Sequence, residues 1–338
     1  MSSSTRVEKN PTVSKRRGQI IAAPISGQET VLITVIAILW LLLWWATPAF
    51  MTAGSIQPLL IEVAPVAVIG IGMTLIIISA GIDVSVGSAM MVCGVVTARL
   101  LVESGISLPL ALLVAVGIGG ILGAVNGVLI AWGRVNAIII TFGTLNVFQF
   151  IGRQIFGSET VNGIPPTLEF FGRGEPGRTL GIPHSFLLMA LIAAAAWWYL
   201  RQTPGGRHYY AIGGDHVAAE LAGVRVRRRV LLAYIVTGTL VGLAAIFTIA
   251  KGTATLDQSI GFGKELAVIA AVVIGGTSII GGRGSVLGTV LGALLVQTVT
   301  SGVTQIGWPS QLSDLFVGLF VIIAVGADLL RQRARRNR

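Results

Sequence analysis

Long apolar runs separated by short polar interruptions are the feature that most constrains this chain. A helix needs about 20 apolar residues to cross a bilayer, and the sequence contains ten such runs. They lie near 30–47, 63–80, 86–102, 108–131, 137–156, 184–200, 230–250, 265–280, 285–302 and 311–330. Charged residues make up only 11% of the chain, against about 25% in soluble proteins. The pattern predicts an all-α polytopic membrane protein with about ten transmembrane helices.

The positions of lysine and arginine predict the orientation of the chain. If the N-terminus is cytoplasmic, 18 of the 24 basic residues lie on the cytoplasmic side, as the positive-inside rule requires. The chain then divides into a cytoplasmic tail at 1–29, a transmembrane domain at 30–330 and a cytoplasmic tail at 331–338. Within the domain, 201–229 is a long cytoplasmic loop and 157–183 is the longest outer loop. Because the basic residues cluster at helix ends, the net charge of +10 is a topology signal, and we expect no nucleic-acid binding.

An even number of spans agrees with two cytoplasmic termini. Spans two to five start outside and spans seven to ten start inside, so the two sets have the opposite topologies that an inverted repeat requires. We find no convincing residue-level match between them. The inverted repeat is therefore a hypothesis that rests on topology alone.

The basic loop at 201–229 contains the signals of a short helix. Asp215 can cap the start of this helix and Gly223 can end it, which leaves 216–222 between them. The apolar residues fall on one side at helical spacing: Val217, Ala218, Leu221 and Ala222. So short a helix is only marginally stable alone, so we expect its apolar side to pack on something. At this point three surfaces could cover the apolar side of the helix: a partner protein, the bilayer surface or the helix's own loop.

An acid interrupts apolar sequence in the stretch GIDVSVG at 81–87. A carboxylate near bilayer depth is costly, which makes Asp83 a functional candidate. The alternative is that Asp83 caps the next helix with support from Ser85. The residues themselves favour the cap and leave contact with a substrate open.

Polar side chains also follow the fifth span, at Thr141, Thr144, Asn146 and Gln149. Such groups can hydrogen-bond a polyhydroxylated substrate. More often they join one helix to another inside a membrane protein, and that interpretation is favoured for each residue taken singly.

The glycine-rich stretch at 275–285 predicts tight packing between two spans. It lacks the Lys-Ser/Thr ending of a phosphate-binding loop, so we expect no nucleotide site there. The chain has one cysteine, scattered histidines and no paired carboxylates within the membrane. We therefore expect no enzymatic reaction, metal or cofactor on this chain.

Four stretches in this order carry a resemblance to a known family. They are GIDVSVGS at 81–88, VNAIIITFGTLN at 135–146, AIGGDHVAAELAGVRVRR at 211–228 and VIAAVVIGGTSIIGGRGSVLGTVLGALL at 268–295. Together they resemble the permease subunit of bacterial ABC sugar importers, in the ribose/xylose/arabinose and autoinducer-2 branch. The resemblance extends over about 31–330.

The resemblance implies a set of partners in the bacterial inner (plasma) membrane. A second permease chain, identical or paralogous, would complete the pore within the lipid. Two separate cytoplasmic ATPase subunits would hold ATP and Mg²⁺, and a periplasmic protein would deliver the sugar. The implied mechanism is alternating access driven by the ATPase.

The resemblance also assigns residues 213–223 to a coupling helix that enters a groove on the ATPase. The coupling residues that match are Gly214, Asp215, Val217, Ala218, Ala219, Glu220, Leu221 and Gly223. Our hypothesis for the substrate pathway is a set of four polar residues: Asp83, Ser85, Thr144 and Asn146. The alternative function is an ion-coupled secondary sugar transporter, for which Asp83 is the one strong candidate for the coupling site.

Overall fold

The structure is a computed structural model that describes residues 27–157, 159–172, 174–252 and 255–336, with side chains described as far as 326. Helices form most of this part of the chain. They are α1 Gly27–Ala46, α2 Ala53–Ile78, α3 Val86–Glu103, α4 Leu108–Gly133, α5 Ala137–Phe156, α6 His184–Gln202, α7 Pro204–Gly214, α8 His216–Leu221, α9 Val226–Lys251, α10 Lys264–Ile274, α11 Val286–Gln305 and α12 Gln311–Arg336. Four two-residue strands are β1 Val161–Asn162, β2 Arg178–Thr179, β3 Ile182–Pro183 and β4 Thr255–Leu256. Short 3-10 helices lie at Pro48–Met51, Pro166–Phe171 and Glu175–Gly177.

The predicted fold class is confirmed. Among the described residues, eight helices are long and apolar enough to cross a membrane, namely α1 to α6, α9 and α11. The prediction of ten spans also counted α10 and α12. The inverted repeat remains a prediction.

The eighth span was predicted too long. Helix α10 has 11 residues, or about 16 Å of length at 1.5 Å per residue, which cannot cross a hydrocarbon core of about 30 Å. It ends because the next two residues are glycines, the second of which has a φ of +93° that favours glycine. The apolar residues after Ile274 are thus loop.

Two other boundaries also differ from the prediction. Helix α2 begins ten residues before the predicted start at 63, and Glu62 lies within this added part, where it is paired with Lys251 (Oε2 to Nζ, 2.6 Å). The backbone of α12 continues helical through Arg336, so the predicted C-terminal boundary at 330 is not a helix end. The predicted tail at 1–29 lies, except for its last three residues, outside the described chain.

Helix α2 is the centre of the molecule. Every residue of 63–78 is buried, which is why this segment is apolar on all sides and shows no amphipathic pattern. Helices α6, α9, α10 and α11 pack around it.

Small residues let α4 and α9 approach closely. On α4, Ala115, Gly119 and Gly123 recur at intervals of four and face Gly238 and Gly242 of α9. A Cβ atom on Gly119 would overlap the carbonyl oxygen of Gly238. This arrangement is the small-residue packing that drives helix association in lipid.

The glycine-rich stretch at 275–285 also packs as predicted. A Cβ atom on Gly275 would lie 2.5 Å from the carbonyl carbon of Gly288, and one on Gly292 would overlap the carbonyl oxygen of Ala271. The stretch therefore joins α10 to α11 with their backbones in direct contact.

The loops after α5 and α9 are more ordered than the irregular loop predicted at 157–183. Strand β1 pairs antiparallel with β4, which ties this loop to the segment 252–263, and β2 pairs with β3 in a hairpin. Asp257, in the loop before α10, accepts hydrogen bonds from the backbone amide and the hydroxyl of Ser259. These hydrogen bonds lower the pKa of the Asp257 carboxyl. The loop before α10 packs closely against α3. Its Ile260 side chain contacts Gly94 of α3, and the backbone of Gly261 contacts Gly87.

Candidate translocation and docking sites

Residues 79–85 separate α2 from α3, and this segment is called the α2–α3 break. Asp83 stabilises the conformation of the break. Its Oδ1 accepts hydrogen bonds from the backbone nitrogen of Ser85 at 2.9 Å and from the hydroxyl of Ser85 at 2.7 Å. Ser85 is the residue that precedes α3, so Asp83 orders the approach to the helix and does not cap an amide within it. The cap predicted from sequence is wrong in this detail. Asp83 and Ser85 are both buried.

Asn126 of α4 connects this break to α5. Its amide donates to the Ser85 hydroxyl at 2.8 Å and lies 3.5 Å from Oδ2 of Asp83. Its own oxygen accepts a hydrogen bond of 2.7 Å from Thr144. Asn126 is 1% exposed, so this Asp83 network is buried and each of its four side chains has a partner.

Two further groups hold the backbone of the break. The hydroxyl of Thr141 lies 3.3 Å from both the carbonyl of Ile82 and the amide of Val84. Tyr234 of α9 donates to the same carbonyl at 3.4 Å. Thr141 and Thr144 therefore join helices, which was the interpretation favoured for them singly.

Asn146 is not part of the Asp83 network. Its side chain is exposed and donates to the carbonyl of Phe142 in its own helix at 2.9 Å. The structure thus brings together three of the four hypothesised pathway residues, Asp83, Ser85 and Thr144. The sequence analysis did not identify Asn126. The feature that could have indicated it is a single side-chain amide in an otherwise apolar span, three residues after Gly123, which packs against α9.

A separate cavity of about 200 Å³ lies between α3, α5 and the loop before α10. Leu145 and Gln149, from the middle of α5, and Arg153, from its last turn, form one wall. Its polar lining residues are Ser88, Gln149, Arg153, Gln258 and Glu265. Of these, sequence reasoning noticed only Gln149.

The predicted docking helix is present as α8. The side chain of Asp215 accepts hydrogen bonds of 2.9 Å from the amides of both Val217 and Ala218, as an N-cap does. At the other end Gly223 has a φ of +84°, and the amide of Val224 donates to the carbonyl of Ala219. Both end signals are confirmed, and the helix is one residue shorter than predicted.

The two sides of α8 have different environments. Ala219 is buried and packs beside Ile212 and Val226, so it attaches the helix to the rest of the chain. Val217 is 66% exposed and Leu221 is 85% exposed. The predicted apolar side is therefore uncovered in the described chain, which excludes its own loop as the covering surface.

A polar cavity of about 440 Å³ lies behind the docking helix. His216 and Glu220 of α8 form one side of it, and the start of the α2–α3 break forms another. Arg134 and Arg227 complete its charged lining. The polar side of the docking helix therefore faces this cavity.

Helix α7, which the sequence did not predict, leads directly into α8. A Cβ atom on Gly213 would overlap the carbonyl oxygen of Ile78, the last residue of α2, and would lie 2.5 Å from the amide nitrogen of Gly282. That amide donates to the same Ile78 carbonyl at 2.8 Å. The end of α7, the end of α2 and the glycine-rich stretch therefore meet backbone to backbone.

The hydroxyl of Tyr210 reinforces this three-way contact. It donates to the carbonyl of Gly284 at 3.1 Å. Burial raises the pKa of Tyr210 above its ordinary value, so the hydroxyl keeps its proton and stays a donor at neutral and moderately alkaline pH.

Comparison with known proteins agrees with this arrangement. A family described as "branched-chain amino acid transport system / permease component" matches residues 55–325. The chain belongs to this permease family. No solved structure matches the chain.

Individual relatives of the permease have sugar transport in their names. The ribose import permease protein of Escherichia coli (strain K12) is 34% identical over 85% of this chain and 89% of the relative. The fructose import permease protein of Rhizobium meliloti is 32% identical over 82% and 79% of the two chains. The galactofuranose transporter permease protein of Escherichia coli (strain K12) is 34% identical over 80% and 78%.

Proposed function

We propose that the permease is the membrane-spanning subunit of an ABC importer that carries a sugar or similar neutral polyol into the cell. The observation that carries this proposal is the docking helix α8, which is capped at both ends and exposes Val217 and Leu221. An uncovered apolar side on so short a helix favours a partner that covers it, because a helix of this length is only marginally stable alone. The names of the relatives favour a sugar over a branched-chain amino acid.

The partners follow from this role. Cytoplasmic ATPase subunits bind the apolar side of α8 and hold ATP and Mg²⁺. A periplasmic binding protein delivers the sugar, and a second permease chain, identical or paralogous, completes the pore. The protein lies in the inner membrane with both termini cytoplasmic, as the distribution of basic residues indicates.

The mechanism we propose is alternating access. ATP binding draws the ATPase subunits together and displaces the docking helices, and the pore opens outward to receive sugar. Hydrolysis then returns the pore to the inward-facing state. We propose that four polar residues lie near the pathway: Asp83, Ser85, Thr144 and Asn146. The first three also support the α2–α3 break beside the pathway.

The alternative is an ion-coupled secondary sugar transporter. Its coupling acid would be Asp83, whose carboxylate oxygens are both engaged by Ser85 and Asn126. Such a transporter would need no ATPase.

The deciding experiment measures sugar-stimulated ATPase activity in liposomes that contain the permease, ATPase and binding protein. We expect Leu221→Asp to abolish stimulation and co-purification of the ATPase, because a buried charge at the docking surface has no partner. Leu221→Met keeps the apolar character and similar volume, and should behave as the wild type. Normal coupling in Leu221→Asp would move docking elsewhere, and uptake without any ATPase would establish the secondary transporter.

A further inference from the structure

The two polar clusters of the permease differ in whether their hydrogen-bonding groups are used. In the Asp83 network every side chain has a partner within the protein. In the cavity between α3, α5 and the loop before α10, the side chains of Gln149, Arg153 and Gln258 make no hydrogen bond or ion pair within the described chain. Arg153 and Gln258 are exposed and Gln149 is half-buried, so the hydrogen-bonding groups of these side chains are open to a ligand.

The unused groups suit a molecule that carries several hydroxyls. Each glutamine amide offers both donors and an acceptor, and Arg153 offers donors only. The carboxylate of Glu265 already accepts hydrogen bonds from the backbone of Gly263 and of Glu265 itself, and a carboxylate has further acceptor sites. The lining therefore offers both the donors and the acceptors that the hydroxyls of a sugar need.

The remaining lining residues supply the apolar part of the site. Ile260 and Phe262 of the loop before α10 form one wall, and Met91 of α3 forms another. Small-molecule sites typically combine such apolar walls with a few convergent polar groups. Phe262 is 84% exposed, so the cavity has one open side by which a sugar can enter.

The position of the cavity also fits a transport path. Gln149 lies in the middle of α5, and the loop that carries Gln258 enters from the outer side. The short helix α10 begins with Lys264 and Glu265 beside the cavity and has only 11 residues. A discontinuous segment of this kind places a binding site within the span.

We infer that Gln149, Gln258, Arg153 and Glu265 contact the sugar during its passage and that the Asp83 network supports the broken helix beside them. This inference rests on the proposed function and names the substrate-contacting residues for it. It assigns contact with the substrate to a different set of residues from the Asp83 network.

The test uses the full complex of permease, ATPase and binding protein in liposomes, with ribose as the probe. We measure ribose taken up per ATP hydrolysed. Gln149→Met and Gln258→Met keep the length of the side chain but remove its hydrogen bonds. Each should lower this ratio about two- to tenfold, the equivalent of one lost hydrogen bond, while ATPase stimulation by the loaded binding protein stays normal.

Gln154→Met is the matched control. Gln154 lies on the same helix, is exposed and does not line the cavity, so its replacement should leave the ratio unchanged. A protein that merely lost stability would lose ATPase stimulation and uptake together. If Gln149→Met does not fold, Gln149→Asn is the second variant. Its amide lies on a side chain that is one methylene shorter and no longer reaches the sugar, so the ratio should fall in the same way.

The outcomes separate this inference from the proposed function. Wild-type uptake of ribose with unchanged ratios in all the glutamine variants would overturn the inference alone. ATP-dependent uptake of leucine with no uptake of ribose or fructose would overturn both the sugar substrate and the inference. A wild-type complex without ATP-dependent uptake would overturn the proposed function, and the inference with it.

Discussion

At the scale of single residues, the environment of a polar group decides its role. Asn126 and Asn146 are both asparagines within apolar helices, yet Asn126 is buried and joins three elements, whereas Asn146 bonds only to its own helix. Removing one partner from a buried set leaves the others unsatisfied, and this costs more than the bond itself contributes.

We therefore expect Asn126→Ala to destabilise the permease by about 1–3 kcal/mol. Ser85 and Thr144 would each lose a partner in a buried place. Thermal unfolding in detergent measures the effect, and Asn146→Ala is the control, with an expected change within about 0.5 kcal/mol. Equal stability of the two variants would show that the Asp83 network does not support the fold.

At the scale of elements, the permease is held together by helices whose backbones touch. The pair α4 and α9 depends on glycines that leave no room for a side chain, whereas Gly117 on α4 faces open space. Hydrophobic burial does not drive helices together within lipid, so close packing of this kind provides the association.

Gly119→Ala should consequently destabilise the protein, by about 1–3 kcal/mol as overpacking typically does. The added Cβ would overlap the carbonyl oxygen of Gly238. Gly117→Ala, two residues earlier in the same helix, has nothing within 4 Å of its Cβ and should be neutral or slightly stabilising, because alanine favours helix. Thermal unfolding of both variants tests this, and equal melting temperatures would contradict it.

At the scale of the whole molecule, the docking helix is connected to the α2–α3 break. Gly213, at the end of α7, contacts the last carbonyl of α2, and Asp83 follows five residues later. A displacement of α8 by the proposed ATPase partner would therefore have a direct backbone route to the broken segment. Physical contact of this kind suggests coupling, and only a perturbation can measure it.

Gly213→Ala should uncouple the complex without preventing its assembly. The added methyl would force α7 away from Ile78 and Gly282, so we expect a fall of about tenfold in sugar-stimulated ATPase activity, within the usual range of coupling between sites. Co-purification of the ATPase should persist because Val217 and Leu221 are unchanged.

Gly117→Ala provides the control, since Gly117 lies outside the coupling helix and its Cβ would meet nothing within 4 Å. Tyr210→Phe removes the hydroxyl that donates to Gly284 without adding volume, and should weaken stimulation in the same direction. Normal stimulation in both Gly213→Ala and Tyr210→Phe would show that coupling follows another route.

The sequence by itself determined the properties that depend on local pattern. Runs of apolar residues predicted the fold class because a bilayer demands about 20 of them for each span. Asp215 and Gly223 predicted the ends of the docking helix because capping is a local interaction between a side chain or glycine and nearby backbone.

Only the tertiary structure decided which polar residues come together. Asn126, Thr144 and Asp83 are distant in sequence and meet because α4, α5 and the α2–α3 break pack side by side. Gln149 and Gln258 face one cavity for the same reason, since α5 and the loop before α10 both pack against α3. Contacts between distant segments depend on how whole helices pack, and neither periodicity nor local spacing records that arrangement.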